Sequence, residues 1–220
     1  MLLLGLRISI SSLYSLQASR FLDDWSSRKE EPQQQAWNIA RSAIDRAIYW
    51  HPIANPNLLI KRGRIYDWRY YRKSIGDPIA TESRLQALAD YRRAAQLQPG
   101  WPYTWVDIAL VKVRLGVVDQ ETLDSLENAL STGPWRPDVL LKMVEAGLLA
   151  WDMLPLRGKT IVIKSIDRGL ASTLDTSTQV SRSLNQFGRQ RTICNRNNTF
   201  VNLADWCASQ SKAKATPQVK

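Results

Sequence analysis

Apolar positions recur along this chain at helical spacing, and in three places they recur in the same phase. A small residue is followed four positions on by a large one, three later by another small one, and five beyond that by proline. The sets are Ala40, Ile44, Ala47, Pro52; Ala87, Tyr91, Ala94, Pro99; and Thr122, Leu126, Ala129, Pro134. Spacings of four and three place side chains on one face of a helix. Proline lacks an N–H and cannot continue the ladder, so each set predicts a helix with a narrow packing face that stops near its proline. The prolines lie 47 and 35 residues apart, against a period of about 34 for tetratricopeptide units.

Each such unit pairs two helices, and the first carries a large residue followed four later by a small one where the pair crosses. Leu59, Gly63 and Tyr66 fit the second unit, and Trp105 and Ala109 the third. Leu140, Met143, Val144, Gly147 and Leu148 predict a further first helix over 138–151. In unit one the first helix would have to lie in 15–30, where the pattern is poor. The expected fold is therefore all-α: a tetratricopeptide-like helical-hairpin repeat, a short α-solenoid, over residues 32–154. One such unit cannot bury its own face, and a stack of them leaves a concave groove that holds other molecules.

Beyond Pro155 the pattern fades into segments expected near 159–174, 178–193 and 199–208, which read as capping helices over 155–208. Ile161-Val162-Ile163 looks strand-like but sits inside the series Val162, Ile166, Leu170, Leu174, and is assigned to helix. Residues 1–31 read as a weakly apolar N-terminal segment followed by a polar linker. Arg7 and the serines interrupt the first 16 residues, which fall short of the ~20 that span a bilayer. A weak or truncated anchor or signal, or an N-terminal membrane contact, fits them better. Ile75-Gly76-Asp77-Pro78 marks a turn ahead of a helix starting near Thr81 and Glu82. Residues 209–220 read as a basic disordered tail.

Across 220 residues, 44 % hydrophobic, the net charge of +10 is uneven. Residues 1–156 hold 19 basic and 17 acidic side chains, and residues 157–220 hold 11 and 3. A basic C-terminal third suits phosphates, an anionic membrane surface or an acidic polymer, or simply a solvated surface.

Catalytic chemistry finds little footing. One histidine and two cysteines are too few for the four ligands of a structural zinc site, and neither a phosphate-binding loop nor a nucleophile elbow is present. No catalytic, cofactor-binding or metal-binding residue is assigned, and no enzyme activity or cofactor is expected. His51, just before Pro52, reads as a helix C-cap. Cys194 and Cys207 both continue apolar faces. A simple hairpin turning near Asn197 separates them, because a helix from 199 to 207 climbs ~12 Å while bridged Cα atoms lie within ~7 Å. That predicts buried free thiols unless 199–207 is skewed or non-helical.

Nine tryptophans are many for this length. Trp37, Trp105 and Trp151 read as core, and Trp101 and Trp135, each after a terminating proline, as wedges between successive hairpins. The stretch 62–73 (RGRIYDWRYYRK) interleaves aromatics with arginines, a combination suited to anchoring a partner or stacking on rings. Arginine stems packed beside core aromatics would give the same pattern. In register, Arg64, Asp67 and Trp68 face the groove, as do Tyr103, Val106, Leu110, Val113 and Arg114. The partner-binding candidates are Arg64, Asp67, Trp68, Tyr103 and Arg114.

The stretch from Asn57 to Leu154 resembles the VpsP-like polysaccharide biosynthesis family, small tetratricopeptide-like proteins of bacterial exopolysaccharide and biofilm gene clusters. Arg62-Gly63 with Trp68, Leu88 through Pro99, Pro102 with Trp105, and Gly133-Pro134-Trp135 carry the likeness. It implies a non-catalytic adaptor or scaffold, membrane-associated or periplasmic in a bacterium. Its partners would be protein components of a polysaccharide synthesis or export machinery. The alternative is nucleic-acid or anionic-polymer binding through the basic C-terminal third, with no specific nucleic acid expected.

Overall fold

A computed structural model describes residues 2–195 and 199–215, and among these every regular element is a helix. The first helix is one that hydropathy conceals. α1 (Leu2–Arg28) takes up nearly all of the segment expected to be a weakly apolar lead and linker. Its inner stripe is Ser11, Ser15, Ala18, Leu22 and Trp25, all buried at spacings of four and three. Two of the five are serines, so the stripe scores as polar. Ser11 Oγ donates to the Ala47 carbonyl at 2.7 Å, and Ser15 Oγ accepts from Lys61 Nζ at 2.7 Å. Lys29, at φ 53°, ends the helix in the left-handed region and leaves only a short link to the next.

The chain divides into two units, residues 1–117 and 118–220. In the first, α1 packs on α2 (Gln34–Trp50), α2 on α3 (Pro56–Trp68), α3 on α4 (Pro78–Leu97), and α4 on α5 (Pro102–Arg114). All nine small and large positions of the three repeats are buried. α2, α4 and α6 (Gln120–Thr132) each stop two residues before their proline. Gly63 explains the close crossing of α3 and α4: a Cβ there would lie 2.5 Å from Tyr91 Cε1. Asp77 caps α4 by accepting from the Ile79 N–H at 2.9 Å, with Pro78 at the first helical position, so the helix starts earlier than expected.

The boundary between units falls between α5 and α6, inside the stretch expected to be one continuous repeat domain. In the second unit α7 (Pro137–Leu149) packs on α8 (Leu156–Leu170), and a Cβ on Gly147 would overlap Val162. Ile161, Val162 and Ile163 are helical and buried. Leu174 is not part of that face: it opens α9 (Leu174–Gln186) and is 86 % exposed. The helix expected over 178–193 is broken at Gly188, φ 63°, after which α10 (Gln190–Cys194) begins.

α11 (Val201–Ala215) runs past residue 208, so the first part of the expected disordered tail is helical; residues 216–220 lie outside the described residues. Cys194 and Cys207 are joined, with Cα atoms 5.7 Å apart. The simple-hairpin reading fails because 178–193 is not one continuous arm: it breaks at Gly188, Cys194 ends the separate five-residue α10, and α11 starts only at Val201. The start of α11 is tied to α8, where Asp167 accepts from the Leu203 N–H at 3.0 Å. Trp37 and Trp151 are core, and Trp101 and Trp105 pack partly buried in the first unit. Trp135 is no wedge. It stands 61 % exposed with the Arg168 guanidinium 5.5 Å over its ring.

Candidate partner-binding surface

All five helices of the first unit meet through charged side chains as well as apolar ones. From α3, Lys61 reaches α1 and Arg64 reaches Asp107 of α5 at 3.4 Å. One turn along, Asp67 of α3 accepts from Arg114 of α5 at 2.5 Å. On the other side of α3, Arg62 binds Asp90 of α4 through Nε and Nη2, at 2.8 and 2.6 Å, and reaches Asp45 of α2 at 3.3 Å. Side-on pairing of this kind matches the guanidinium fork to a carboxylate. The hydrogen bonds it donates to Asp90 hold the Arg62 guanidinium above its ordinary pKa, and the Asp107 charge does the same for Arg64. Burial lowers Lys61.

Of the predicted groove residues, Arg64, Asp67 and Arg114 meet across α3 and α5, Tyr103 lies near enough to Arg64 to influence its charge, and Trp68 joins through Tyr71, in unequal roles. Arg114 and Asp67 face each other in a nearly buried pair, Arg114 lies 5.0 Å over the Tyr71 ring, and Tyr71 stacks on Trp68 at 4.3 Å. Arg114 therefore positions aromatics rather than presenting itself. Val106, Leu110 and Val113 are buried, so they do not line an open groove. Arg64, Trp68 and Tyr103 keep partial exposure. One oxygen of Asp67, Oδ1, is buried without a hydrogen-bond partner, an acceptor held on this face with no donor.

The same stretch builds a hollow on its other side, of about 300 Å³, lined by Trp37, Arg41, Tyr66, Arg69, Tyr70 and residues of α4. Arg69 lies 4.2 Å over the Trp37 ring and 5.0 Å from that of Tyr70. Arginine stems beside aromatics do account for this part of the pattern.

Arg84, which the apolar pattern passes over, organises the end of the surface. It is 1 % exposed, and burial lowers its pKa. Its guanidinium donates to the carbonyls of Lys73, Ser74 and Arg114 at 2.8, 3.0 and 2.5 Å, tying the 69–77 segment to the end of α5. Nothing in hydropathy marks it; an arginine amid the alanine-rich face of α4 was the available signal. His51 caps α2 as expected. Its backbone N–H donates to the Ala47 carbonyl, and its ring, donating from Nδ1 to the Ile53 carbonyl and accepting at Nε2 from Asn55, fits one neutral tautomer.

Charge divides differently along the structural boundary. The first unit holds 17 basic and 10 acidic side chains and the second 13 and 10. Within the second, Arg157 pairs with Asp124 and Glu127, and Arg189 with Asp152. Part of the basic C-terminal third is thus neutralised by its own unit.

No protein-family model matches this chain, and comparison with curated proteins gives no significant match.

Proposed function

We propose that this protein is a non-catalytic, tetratricopeptide-like adaptor that supports bacterial exopolysaccharide synthesis or export while associated with a membrane. The observation that carries the reading is the α3–α5 face. There Arg64, Trp68 and Tyr103 stay partly exposed, and the Asp67–Arg114 pair and Arg84 hold their surroundings rigid. Aromatic and arginine side chains set on packed helices are what partner segments use as anchors. The likeness over 57–154 supplies the biological setting, and the partner it points to is a protein of the polysaccharide machinery.

The test is capture of the tagged chain from gently solubilised cells, beside a variant carrying Arg64→Ala and Trp68→Ala. The reading expects membrane glycosyltransferases or export components with the parent chain, their loss with the variant, and reduced polymer output. Equal capture and equal output from the variant would remove the α3–α5 face from the assignment. Retention of nucleic acid that falls steeply with salt would instead favour the charge-based alternative.

A further inference from the structure

The end of the first unit where α1 begins exposes several large apolar side chains, carries arginines and is free of acidic residues. Residues 3–9 of α1 are exposed around the whole helix, with Leu3 at 79 %, Leu4 at 49 %, Leu6 at 58 % and Ile8 at 41 %. The register explains why. Arg7 Nε donates to the carbonyl of Trp50, the last residue of α2, at 3.3 Å, and the buried stripe starts only at Ser11. The first turn of α1 therefore projects beyond its partner. Beside it, at the finish of α2 and in the turn that follows, Tyr49 is 75 % and Ile53 73 % exposed. A hollow of about 290 Å³ opens at the same end between Ile48, Pro52, Ile53, Leu58 and Leu59, with Arg93 of α4 in its lining.

Charge is sorted along the unit in the same sense. Residues 1–14, 46–59 and 91–101, which contribute this end, contain no Asp or Glu, and Asp45 and Asp90, the next acidic side chains along α2 and α4, are both paired with Arg62. Asp23, Asp24, Glu30, Glu31, Asp77 and Glu82 all belong to the segments that form the opposite end. At the apolar end Arg7 has only the Trp50 carbonyl, Arg46 lies 5.5 Å over the Tyr14 ring, and Arg93 donates to Gln96. None of the three has a carboxylate partner among the described residues.

We propose that this end docks on an anionic lipid bilayer. Leu3, Leu4, Leu6, Tyr49 and Ile53 lie in the boundary between headgroups and acyl chains, and Arg7, Arg46 and Arg93 stand at the level of the phosphates. A helix end exposing Leu3, Leu4, Leu6 and Ile8 on more than one side suits a fluid apolar medium better than one protein face. Tyrosine and tryptophan are at home where that medium meets water. No described helix is long and apolar enough to cross a membrane, and a short exposed apolar helix end flanked by arginines fits a contact in the interface plane. The proposal names the surface behind the membrane association suggested above, and uses none of the partner contacts.

The test is flotation of the purified full-length chain with vesicles of phosphatidylglycerol and phosphatidylethanolamine, and with vesicles of phosphatidylcholine. Binding is expected to the anionic vesicles and to be weak to the neutral ones. The triple variant Leu3→Gln, Leu6→Gln, Ile53→Gln should lower the partition at least about tenfold, since each change forfeits burial of a large apolar side chain. Arg7→Gln with Arg93→Gln should weaken binding to anionic vesicles alone. No flotation of the parent chain would overturn the proposal. So would undiminished binding of the triple variant, which would leave a purely ionic contact with any anionic polymer. Self-association abolished by the triple variant, without lipid binding, would assign the surface to a second copy. No partner protein enters the experiment, so its failure is distinct from failure of the adaptor reading.

Discussion

Adding one methyl group at Gly63 should weaken the first unit, even though alanine is the better helix former. On an open helix Gly→Ala is favourable by about 1 kcal/mol. Here the added Cβ would meet three atoms of the Tyr91 ring, Cε1, Cδ1 and Cζ, at 2.5, 2.9 and 3.0 Å. Comfortable carbon contacts lie near 3.5–4.0 Å, so α3 and α4 must separate by about 1 Å or the ring must turn. Tyr91 is 1 % exposed, with Ala87, Ala94 and Ile108 in the same core cluster, and has nowhere to go. Overpacking of this kind costs typically 1–3 kcal/mol. Taking the upper end for a rigid ring, the net effect is a loss of about 2 kcal/mol.

Gly5→Ala is the control. It lies in α1 with nothing within 4 Å of the added atom, and should be neutral or slightly stabilising. Urea unfolding followed by far-ultraviolet circular dichroism measures both. The two units need not unfold together, so the relevant transition is the one that reduction of the Cys194–Cys207 bridge leaves in place. A midpoint for Gly63→Ala equal to or above the parent's would refute the close crossing, and with it the reason for a small residue at that position.

Three further outcomes are expected. Arg84→Met should destabilise the first unit by about 3 kcal/mol or more, because three carbonyls lose a buried charged donor; a change below about 1 kcal/mol in the same urea titration would mean the clamp is dispensable. Reducing the bridge, whose cysteines are 13 residues apart in sequence, should lower the stability of the second unit by about 2–3 kcal/mol, and melting curves with and without dithiothreitol measure it. Burial holds the Tyr91 hydroxyl well above its ordinary pKa of about 10. Its contribution is complete below that value and is lost as pH rises toward the folded-state pKa, at up to about 1.4 kcal/mol per pH unit. Tyr91→Phe should flatten the stability–pH curve above pH ~10 relative to the parent; an unchanged slope would assign the alkaline loss to other groups.

Much of the fold was legible because its packing faces are built from residues whose size states their role. Ala40, Ile44 and Ala47 say where α2 is buried, and Pro52 says where it stops. α1 was not legible for the converse reason: Ser11 and Ser15 bury hydroxyls that donate to, or accept from, groups on other helices. Hydropathy counts each serine against a helix face, although the hydrogen bond makes it a small, satisfied packing residue. The late start of α11 lay out of reach, since its first turn is fixed by the docking of Asn202 and Leu203 on Asp167 of α8.

The candidate surface was legible in composition but not in accessibility. Interleaved arginines and aromatics from Arg62 to Lys73 announce a stretch that does more than fill a core. They do not say which arginine points where, because each finds its carboxylate on a different helix: Arg62 on α4 and Arg64 on α5, while Asp67 takes Arg114. These pairings turn two of the five predicted contact residues, Asp67 and Arg114, into supports for the other three. A carboxylate already engaged 2.5 Å from a nearly buried guanidinium gains little from a new partner, whereas an aromatic left part-exposed on that support loses only water when it is covered. Within the α3–α5 face, binding energy should therefore concentrate on Trp68 and Tyr103, with Arg64 setting the preference for an acidic or carbonyl-rich segment.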